Sequence, residues 1–331
     1  MCKRILFILS TLALLMHPLS LSAQVAVSPS ADFDGDGQVG FSDFLAFVSH
    51  FGSRQGDEKY EVRYDLDSDG AIGFSDFLIF SGSFGKEVSS PNVDIPDANL
   101  RAVVEDSLGK ASNAPITQSE MATLTRLEAP NANIRDLTGL EFATRLTRLD
   151  LGVKRIAGRF VNSNRISDLS PLSGLTSLER LYLSENRISD LSPLSGLTNL
   201  ERLYLSENRV SDLTLLSGLD NLEILRLSDN SISEVSVLSG LTNLEWLGLS
   251  DNSISEVSAL SSLINLEWLG LAENSISDIT PLSSLTTLEA LTLSSNSISD
   301  LTPLSSLTNM GWLGLASNSI SDLTPLSSLT R

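Results

Sequence analysis

From Leu124 onward, apolar and polar positions return on a fixed 22-residue cycle. One cycle reads Leu178-Glu-Arg-Leu181-Tyr-Leu183-Ser-Glu-Asn186-Arg-Ile188-Ser-Asp190-Leu191-Ser-Pro193-Leu194. Its asparagine recurs at Asn164, Asn186, Asn208, Asn230, Asn252, Asn274, Asn296 and Asn318. Within the cycle, Leu-x-Leu has the period of two of a short strand, with the leucines inward and the middle residue on the opposite face. The asparagine falls where the chain leaves that strand. There its amide can donate to and accept from turn groups that would otherwise be buried unpaired. The Asp-Leu-x-Pro-Leu half returns the chain, and Pro193, Pro281, Pro303 and Pro325 favour short 3₁₀ or extended segments over continuous helix. Two earlier cycles keep the leucines but place Ala132 and Lys154 in the asparagine slot, and a ten-residue insertion, Arg155 to Asn164, follows the second. The expectation is ten coils in a ladder about 45 Å long.

Ahead of the repeats the pattern changes. Leu100, Val103, Val104 and Leu108 share one helical face with Gly109 as a stop, and Thr117-Gln-Ser-Glu120 has the reciprocal spacing of a capping box. Residues 97–123 are therefore predicted to be a small helical cap. Residues 32–85 hold nine of the twelve phenylalanines, with Phe44, Phe47, Val48 and Phe51 on one helical face and Phe77, Phe80 and Phe84 on another. This second composition marks a separate small all-α module, bounded by linkers at 24–31 and 86–96. The first 23 residues pair Lys3 and Arg4 with an apolar run, Ile5 to Met16, and end in Ser22-Ala23. This is the layout of a secretory signal peptide cut near Ala23.

Charge and composition then remove several chemistries. The chain of 331 residues carries a net charge of −19, and loss of Lys3 and Arg4 with the signal makes it −21. A phosphate-tracking surface needs clustered positive charge, so nucleic acid is excluded as a partner. Without residues 1–23 the chain has no cysteine and only His50, which removes thiol chemistry, Cys/His zinc sites and histidine-based triads. An enzyme would have to be a carboxylate-only hydrolase. A general acid of that kind needs a pocket that raises its pKa, whereas these acids lie in open ladders. The prediction is no enzyme, and no membrane span after signal cleavage.

Two acidic loops carry the candidate metal chemistry. Asp32-Phe-Asp34-Gly-Asp36-Gly-Gln38-Val-Gly-Phe-Ser-Asp43 and Asp65-Leu-Asp67-Ser-Asp69-Gly-Ala71-Ile-Gly-Phe-Ser-Asp76 lie 33 residues apart. Each has carboxylates at positions 1, 3, 5 and 12, glycine at 6 for a sharp turn, and an aliphatic residue at 8. Gln38 and Ala71 stand at position 7, where a backbone carbonyl ligates, so each loop reads as a calcium loop and the pair as two Ca²⁺ ions. Each loop opens a following helix, and no amphipathic helix precedes the first. This duplicated layout is similar to dockerin modules, and the similarity implies Asp32, Asp34, Asp36, Asp43, Asp65, Asp67, Asp69 and Asp76 as ligands and a cohesin-like docking partner. Phe41-Ser42 and Phe74-Ser75 depart from the small hydroxyl pairs usual at positions 10 and 11 of partner-contacting dockerins.

The 22-residue cycle, its Asn-x-Ile-x-Asp-Leu-x-Pro-Leu wording and the preceding helical piece resemble the internalin-type leucine-rich repeats of secreted bacterial proteins over residues 94–331. The resemblance implies an α/β leucine-rich-repeat solenoid whose concave parallel sheet binds a protein partner. On that face the residue before the central strand leucine runs Arg148, Arg180, Arg202, Ile224, Trp246, Trp268, Ala290, Trp312, so all three tryptophans share a column. Two residues on, Tyr182 and Tyr204 precede Gly248, Gly270 and Gly314, each glycine beside a tryptophan. A flat aromatic platform of Trp246, Trp268 and Trp312 flanked by Tyr182 and Tyr204 is the predicted ligand site for a protein or glycan. Glu185, Glu207, Asp229, Asp251 and Glu273 form a solvated acidic column. Together these readings describe a secreted or cell-surface calcium-binding adaptor. The alternative is a structural surface-layer or matrix component with no specific ligand.

Overall fold

The computed structural model describes residues 31–34, 37–86, 90–153 and 163–329. The signal segment, most of the 24–31 linker, Asp36, and Lys154 with most of the insertion lie outside the described residues. The chain divides into two compact units, one of residues 1–33 and 38–88 and one of residues 89–331 together with 34–37.

The second unit begins with α3 (Ala98–Ser107) and α4 (Gln118–Ala122), after α1 (Phe41–His50) and α2 (Phe74–Ser83) of the first unit. Asp97 caps α3 by accepting from the amides of Asn99 (2.9 Å) and Leu100 (3.1 Å), and it also accepts from Arg135 (2.8 Å) in the first coil. One carboxylate thus ends a helix and ties the cap to the solenoid. Burial alone would raise the Asp97 pKa, but these backbone donors hold it below the usual carboxylate range. The capping box on α4 forms as the spacing predicts. Thr117 Oγ1 accepts from the Glu120 amide, and Glu120 accepts in turn from the Thr117 amide.

Nine three-residue parallel strands follow, each pairing only with its sequence neighbours: β1 (Arg126–Glu128), β2 (Arg148–Asp150), β3 (Arg180–Tyr182), β4 (Arg202–Tyr204), β5 (Ile224–Arg226), β6 (Trp246–Gly248), β7 (Trp268–Gly270), β8 (Ala290–Thr292) and β9 (Trp312–Gly314). The central leucines, Leu127 to Leu291, are buried, and successive coils align leucine on leucine. The return sides are 3₁₀ turns such as Ser192–Leu194 and Thr280–Ser284, as the prolines predict. Asp190, Asp212, Asp278, Asp300 and Asp322 each accept the backbone amide two residues on at 2.8 Å, opening these turns.

The asparagine ladder holds the coils together. Asn230 Oδ1 accepts from the Val210 amide of the previous coil (2.8 Å), while its Nδ2 donates to Leu205 O and Leu227 O (3.0 Å each). Such a side chain satisfies the Val210 amide, and each carbonyl it meets is shared with the asparagine of a neighbouring coil, Leu205 O with Asn208 and Leu227 O with Asn252. The pattern corrects the count of ten coils. Asn164 donates to Leu151 O and accepts from Ile134, which are the bonds of the asparagine slot in the β2 coil. The insertion therefore falls between Leu151 and Asn164, inside one coil, and Lys154 and Asn164 do not mark separate cycles.

The first unit has two ten-residue helices, α1 (Phe41–His50) and α2 (Phe74–Ser83), each opened by an acidic loop. Phe33, Phe47 and Phe80 stack with interplanar angles of 8–12°, and Phe47, Tyr64, Ile72 and Phe80 form the buried centre. The predicted apolar faces are only partly buried. Val48, Phe51 and Phe84 are about half exposed, because helices this short turn one phenylalanine each into a small core.

Candidate functional sites on the concave sheet and in the acidic loops

The two loops obey one internal symmetry. Val39 donates to Lys86 O and accepts from the Gly85 amide, while Ile72 donates to Ser53 O and accepts from the Gly52 amide. Adding 33 to Val39 gives Ile72, and adding 33 to Gly52 and Ser53 gives Gly85 and Lys86. Each loop is therefore locked by the end of the other loop's helix, a pairing the sequence repeat hints at but does not specify. Gly37 and Gly70, at position 6, both have φ of +87°, where glycine is the unstrained residue.

Carboxylate oxygens of Asp32, Asp34 and Asp43 lie within 4.8 Å of one another, as do those of Asp65, Asp67 and Asp76. Asp43 and Asp76 are fully buried, and each accepts the amide of the glycine three residues before it at 2.7 Å. In the second loop Asp65 accepts from the amides of Asp69 (3.1 Å) and Gly70 (2.9 Å) and from the Tyr60 hydroxyl (2.7 Å). The Asp69 carboxylate accepts the Ala71 amide, while among the described residues no backbone amide donates to the Ala71 carbonyl. The donor set is all oxygen and several carboxylates share one small volume, which fits a hard divalent cation such as Ca²⁺. Asp32, Asp34, Asp43, Asp65, Asp67 and Asp76 are brought together. Gln38 and Asp69 lie on the same loops, and Asp36 is outside the described residues.

On the concave sheet the tryptophans do not form a flat platform. Trp246 and Trp268 stack face to face, centroids 3.6 Å apart and planes 5° from parallel. Each tryptophan lies over the glycine two residues on: a Cβ built on Gly270 would meet the Trp268 ring at 2.4 Å, and one on Gly314 would meet the Trp312 ring at 3.0 Å. The rings thus occupy the column in which Tyr182, Tyr204 and Arg226 stand. That column is one continuous stack. The Arg148 guanidinium covers Tyr182 (4.4 Å), Tyr182 meets Tyr204 (4.6 Å), and Arg226 lies between Tyr204 (4.8 Å) and Trp246 (4.0 Å). Two like-facing rings one coil apart leave little face for a sugar between them, so stacking, rather than a platform, is what the glycines permit.

A second ladder escaped the sequence reading. Glu179, Glu201, Glu223, Glu245 and Glu267 line a groove of about 930 Å³ together with Asn199, Asn221, Asn243 and Asn265. These asparagines each donate to a carbonyl of the preceding coil at 2.8–2.9 Å. The signal was present, since glutamate follows the first leucine in six successive cycles, Glu179 to Glu289, but it is hidden beside the columns of aromatic residues. In β3 and β4 the column arginine reaches the next coil's glutamate, Arg180 to Glu201 (3.9 Å) and Arg202 to Glu223 (4.0 Å).

The other acidic column is solvated, with Glu207, Asp229, Asp251 and Glu273 exposed, and its backbone is also constrained. Glu185, Glu207, Asp229, Asp251 and Glu273 all hold φ between 54° and 58°, a left-handed conformation uncommon outside glycine and asparagine. Partial burial, the hydrogen bond with Asp251 and the charges of Asp251, Glu207 and Glu273 push the Asp229 pKa up to about 6. Among the described residues no helix is long and apolar enough to cross a membrane.

Comparison with known proteins fits this architecture. The family of leucine-rich repeats, described in units of two copies, matches residues 160–196, 198–240 and 264–306. No curated protein sequence matches the chain. Among solved structures, internalin C2 of Listeria monocytogenes is 32% identical over 70% of this chain and 100% of its own, with a TM-score of 0.63. A leucine-rich-repeat protein of Leptospira interrogans is 26% identical over 63% of this chain and 54% of its own, with a TM-score of 0.57. The ectodomain of a plant membrane receptor kinase from Arabidopsis thaliana, solved with Casparian strip integrity factor 2, shares the fold at 23% identity, a TM-score of 0.51, and coverage of 64% of this chain and 27% of its own. The nine-strand ladder, its asparagine bonds and the match along the whole of internalin C2 place this chain in the internalin-type leucine-rich-repeat family.

Proposed function

We propose that the chain is a secreted or cell-surface adaptor, not an enzyme, whose concave sheet binds a protein partner and whose N-terminal unit is a dockerin-like pair of calcium loops. The observation that carries the binding reading is the stack from Arg148 to Trp268. It spends large aromatic and cationic side chains on an open face, although the core is already complete from leucines. Aromatic and arginine side chains on an open, rigid surface are the residues enriched at partner contacts. Face-to-face stacking favours a protein over a glycan, because a sugar binds to ring faces that are here covered by neighbours.

The calcium reading rests on two carboxylate nests related by one 33-residue offset, each with glycine in the left-handed turn. Asp32, Asp34, Asp43, Asp65, Asp67 and Asp76 would hold the two ions, with Asp36, Asp69 and the carbonyls of Gln38 and Ala71 completing the shells. The same helices expose Phe41 and Phe74 (66% and 65%) and Leu45 and Leu78 (56% and 55%), symmetric apolar surface suited to a cohesin-like partner.

The test is an array of extracellular proteins and glycans probed with the calcium-loaded chain and with its Trp268→Ala variant. Protein spots that bind the wild type and lose the variant are expected. Binding to glycans alone, or protein binding indifferent to Trp268, overturns the reading.

A further inference from the structure

The concave stack is continuous from β2 to β7 and then skips one coil. At β8 the two outward positions are Ala290 and Thr292, and at β9 the ring returns as Trp312 over Gly314. Two neighbouring triplets of coils can be compared directly. In the first, Tyr204 of β4 and Trp246 of β6 enclose the Arg226 guanidinium of β5. Among the described residues Arg226, unlike Arg180 and Arg202, has no ion pair, so ring faces rather than an acid hold this cation. In the second, Trp268 of β7 and Trp312 of β9 enclose a coil where the residue in the Arg226 column is Thr292.

The space suits one planar group. Face contacts on both sides need about 7–8 Å. Two coils give about 9.6 Å at the backbone, and ring spacing narrows above the sheet, as the 3.6 Å contact of Trp246 with Trp268 shows.

Charge selects which planar group. Glu201 and Glu223 find their cation in the arginine of the preceding coil, but Glu267 and Glu289 follow coils where that arginine is Trp246 and Trp268. Among the described residues Glu245, Glu267 and Glu289 have no ion pair. An acidic ladder without its own cations thus runs beside a stack with one vacant rung.

We propose that this rung is the seat of an arginine side chain from the protein partner. Its guanidinium would lie between Trp268 and Trp312 above Thr292, and further basic residues of the same segment would meet Glu267 and Glu289. The proposal rests on the concave-face reading above and names what that face recognises. Lysine is a poor substitute, since a compact ammonium lacks the plane that stacks on two rings.

The test uses the full calcium-loaded chain, blocked Gly-Ser-Arg-Ser-Arg-Ser-Gly, and its lysine counterpart, followed through the three indole N–H resonances. The expected result is a saturable shift of the Trp268 and Trp312 signals with little change at Trp246, at a Kd about tenfold below that of the lysine peptide. Absence of a shift at millimolar peptide, equal response to lysine, or equal response at Trp246 overturns the proposal. Two variants close the rung by different means. Thr292→Arg supplies the cation in cis, and Ala290→Trp with Thr292→Gly copies the neighbouring coils; either should abolish the shift in a chain that keeps its melting midpoint. Peptide binding that survives both but is lost in Glu267→Gln/Glu289→Gln places the ligand in the acidic groove and refutes the rung. A protein found on the array that depends on Trp268 yet ignores both closing variants would refute the rung and leave the concave-face reading standing.

Discussion

The two units of this chain solve the problem of buried polar groups in opposite ways. In the solenoid each turn from the β2 coil onward carries its own neutral partner. Asn208, Asn230 and Asn252 each bond backbone groups of two successive coils, so one coil's folding depends only on the next. In the acidic unit the partners are like-charged carboxylates gathered within 4.8 Å, with Asp43 and Asp76 fully buried. Backbone amides satisfy part of their need, and the clustered like charges repel one another. A repeat can be stable on sequence alone, whereas the loop pair gathers carboxylates whose mutual repulsion a cation would relieve.

The sharpest way to break that contrast is to remove calcium from the whole chain. At calcium a hundred times above Kd, each site contributes about 2.7 kcal/mol, and extracellular loops of this kind have Kd values of about 10⁻⁴–10⁻³ M. EDTA should therefore abolish a separate early melting transition with the helical ellipticity of α1 and α2, and leave the solenoid transition in place. Asp76→Ala should do the same with calcium present. A single transition indifferent to EDTA would mean that the amide bonds to Asp43 and Asp76 suffice.

Within the solenoid, Asn230→Ala is the matching experiment. It strands the Val210 amide, removes one of the two asparagine donors that each of the Leu205 and Leu227 carbonyls accepts, and should cost about 1–3 kcal/mol. Asn230→Asp, which keeps the acceptor but loses both donors, should also destabilise. A midpoint unchanged by either substitution would show that water replaces the amide and that the ladder is not held as described.

These two regions were also unequally legible in the sequence. The strands, the 3₁₀ returns and the asparagine bonds follow from a local rule repeated without change, so the period alone revealed them. The coil count failed at the one place where the period breaks. Only the bonds of Asn164 to Ile134 and Leu151 show that the insertion lies inside the β2 coil. In the loops, spacing identified the carboxylates, but the exchange of Val39 and Ile72 between helix ends is a long-range pairing with no local signature. The tryptophan column was visible in sequence. Its stacking was not, because it depends on how the sheet's side chains lean across strands and on the glycines that make room.

That dependence gives a smaller, more specific prediction. Gly270→Ala places a methyl where the Trp268 ring now lies, 2.4 Å from its nearest atom. The ring's far edge can move, so stability should fall by about 1 kcal/mol, the low end of overpacking. The near-UV dichroism of the stacked pair should change more than the melting midpoint does. An unchanged spectrum would mean that the ring rests beside the glycine and not upon it.

The smallest effect separates the solenoid's neutral ladder from its acidic one. Asp229 is the acid whose pKa is pushed up to about 6, by burial first and then by its bond and charge interaction with Asp251 and the charges of Glu207 and Glu273. A carboxyl whose folded pKa lies above its unfolded value favours folding when protonated. Its contribution is complete below the unfolded value near 3.8 and is lost as pH rises through about 6. Asp229→Asn keeps a polar side chain beside Asp251 but removes the charge. The variant should melt a few degrees above wild type at pH 7–8, and the two curves should converge toward pH 4, where the wild-type acid is largely protonated. Comparing the two chains at each pH cancels the titration of the acidic loops, which both share. A variant no more stable than wild type at pH 8 would mean that the acidic column is relaxed by solvent, and that its left-handed backbone, not its charge, is what the turn requires.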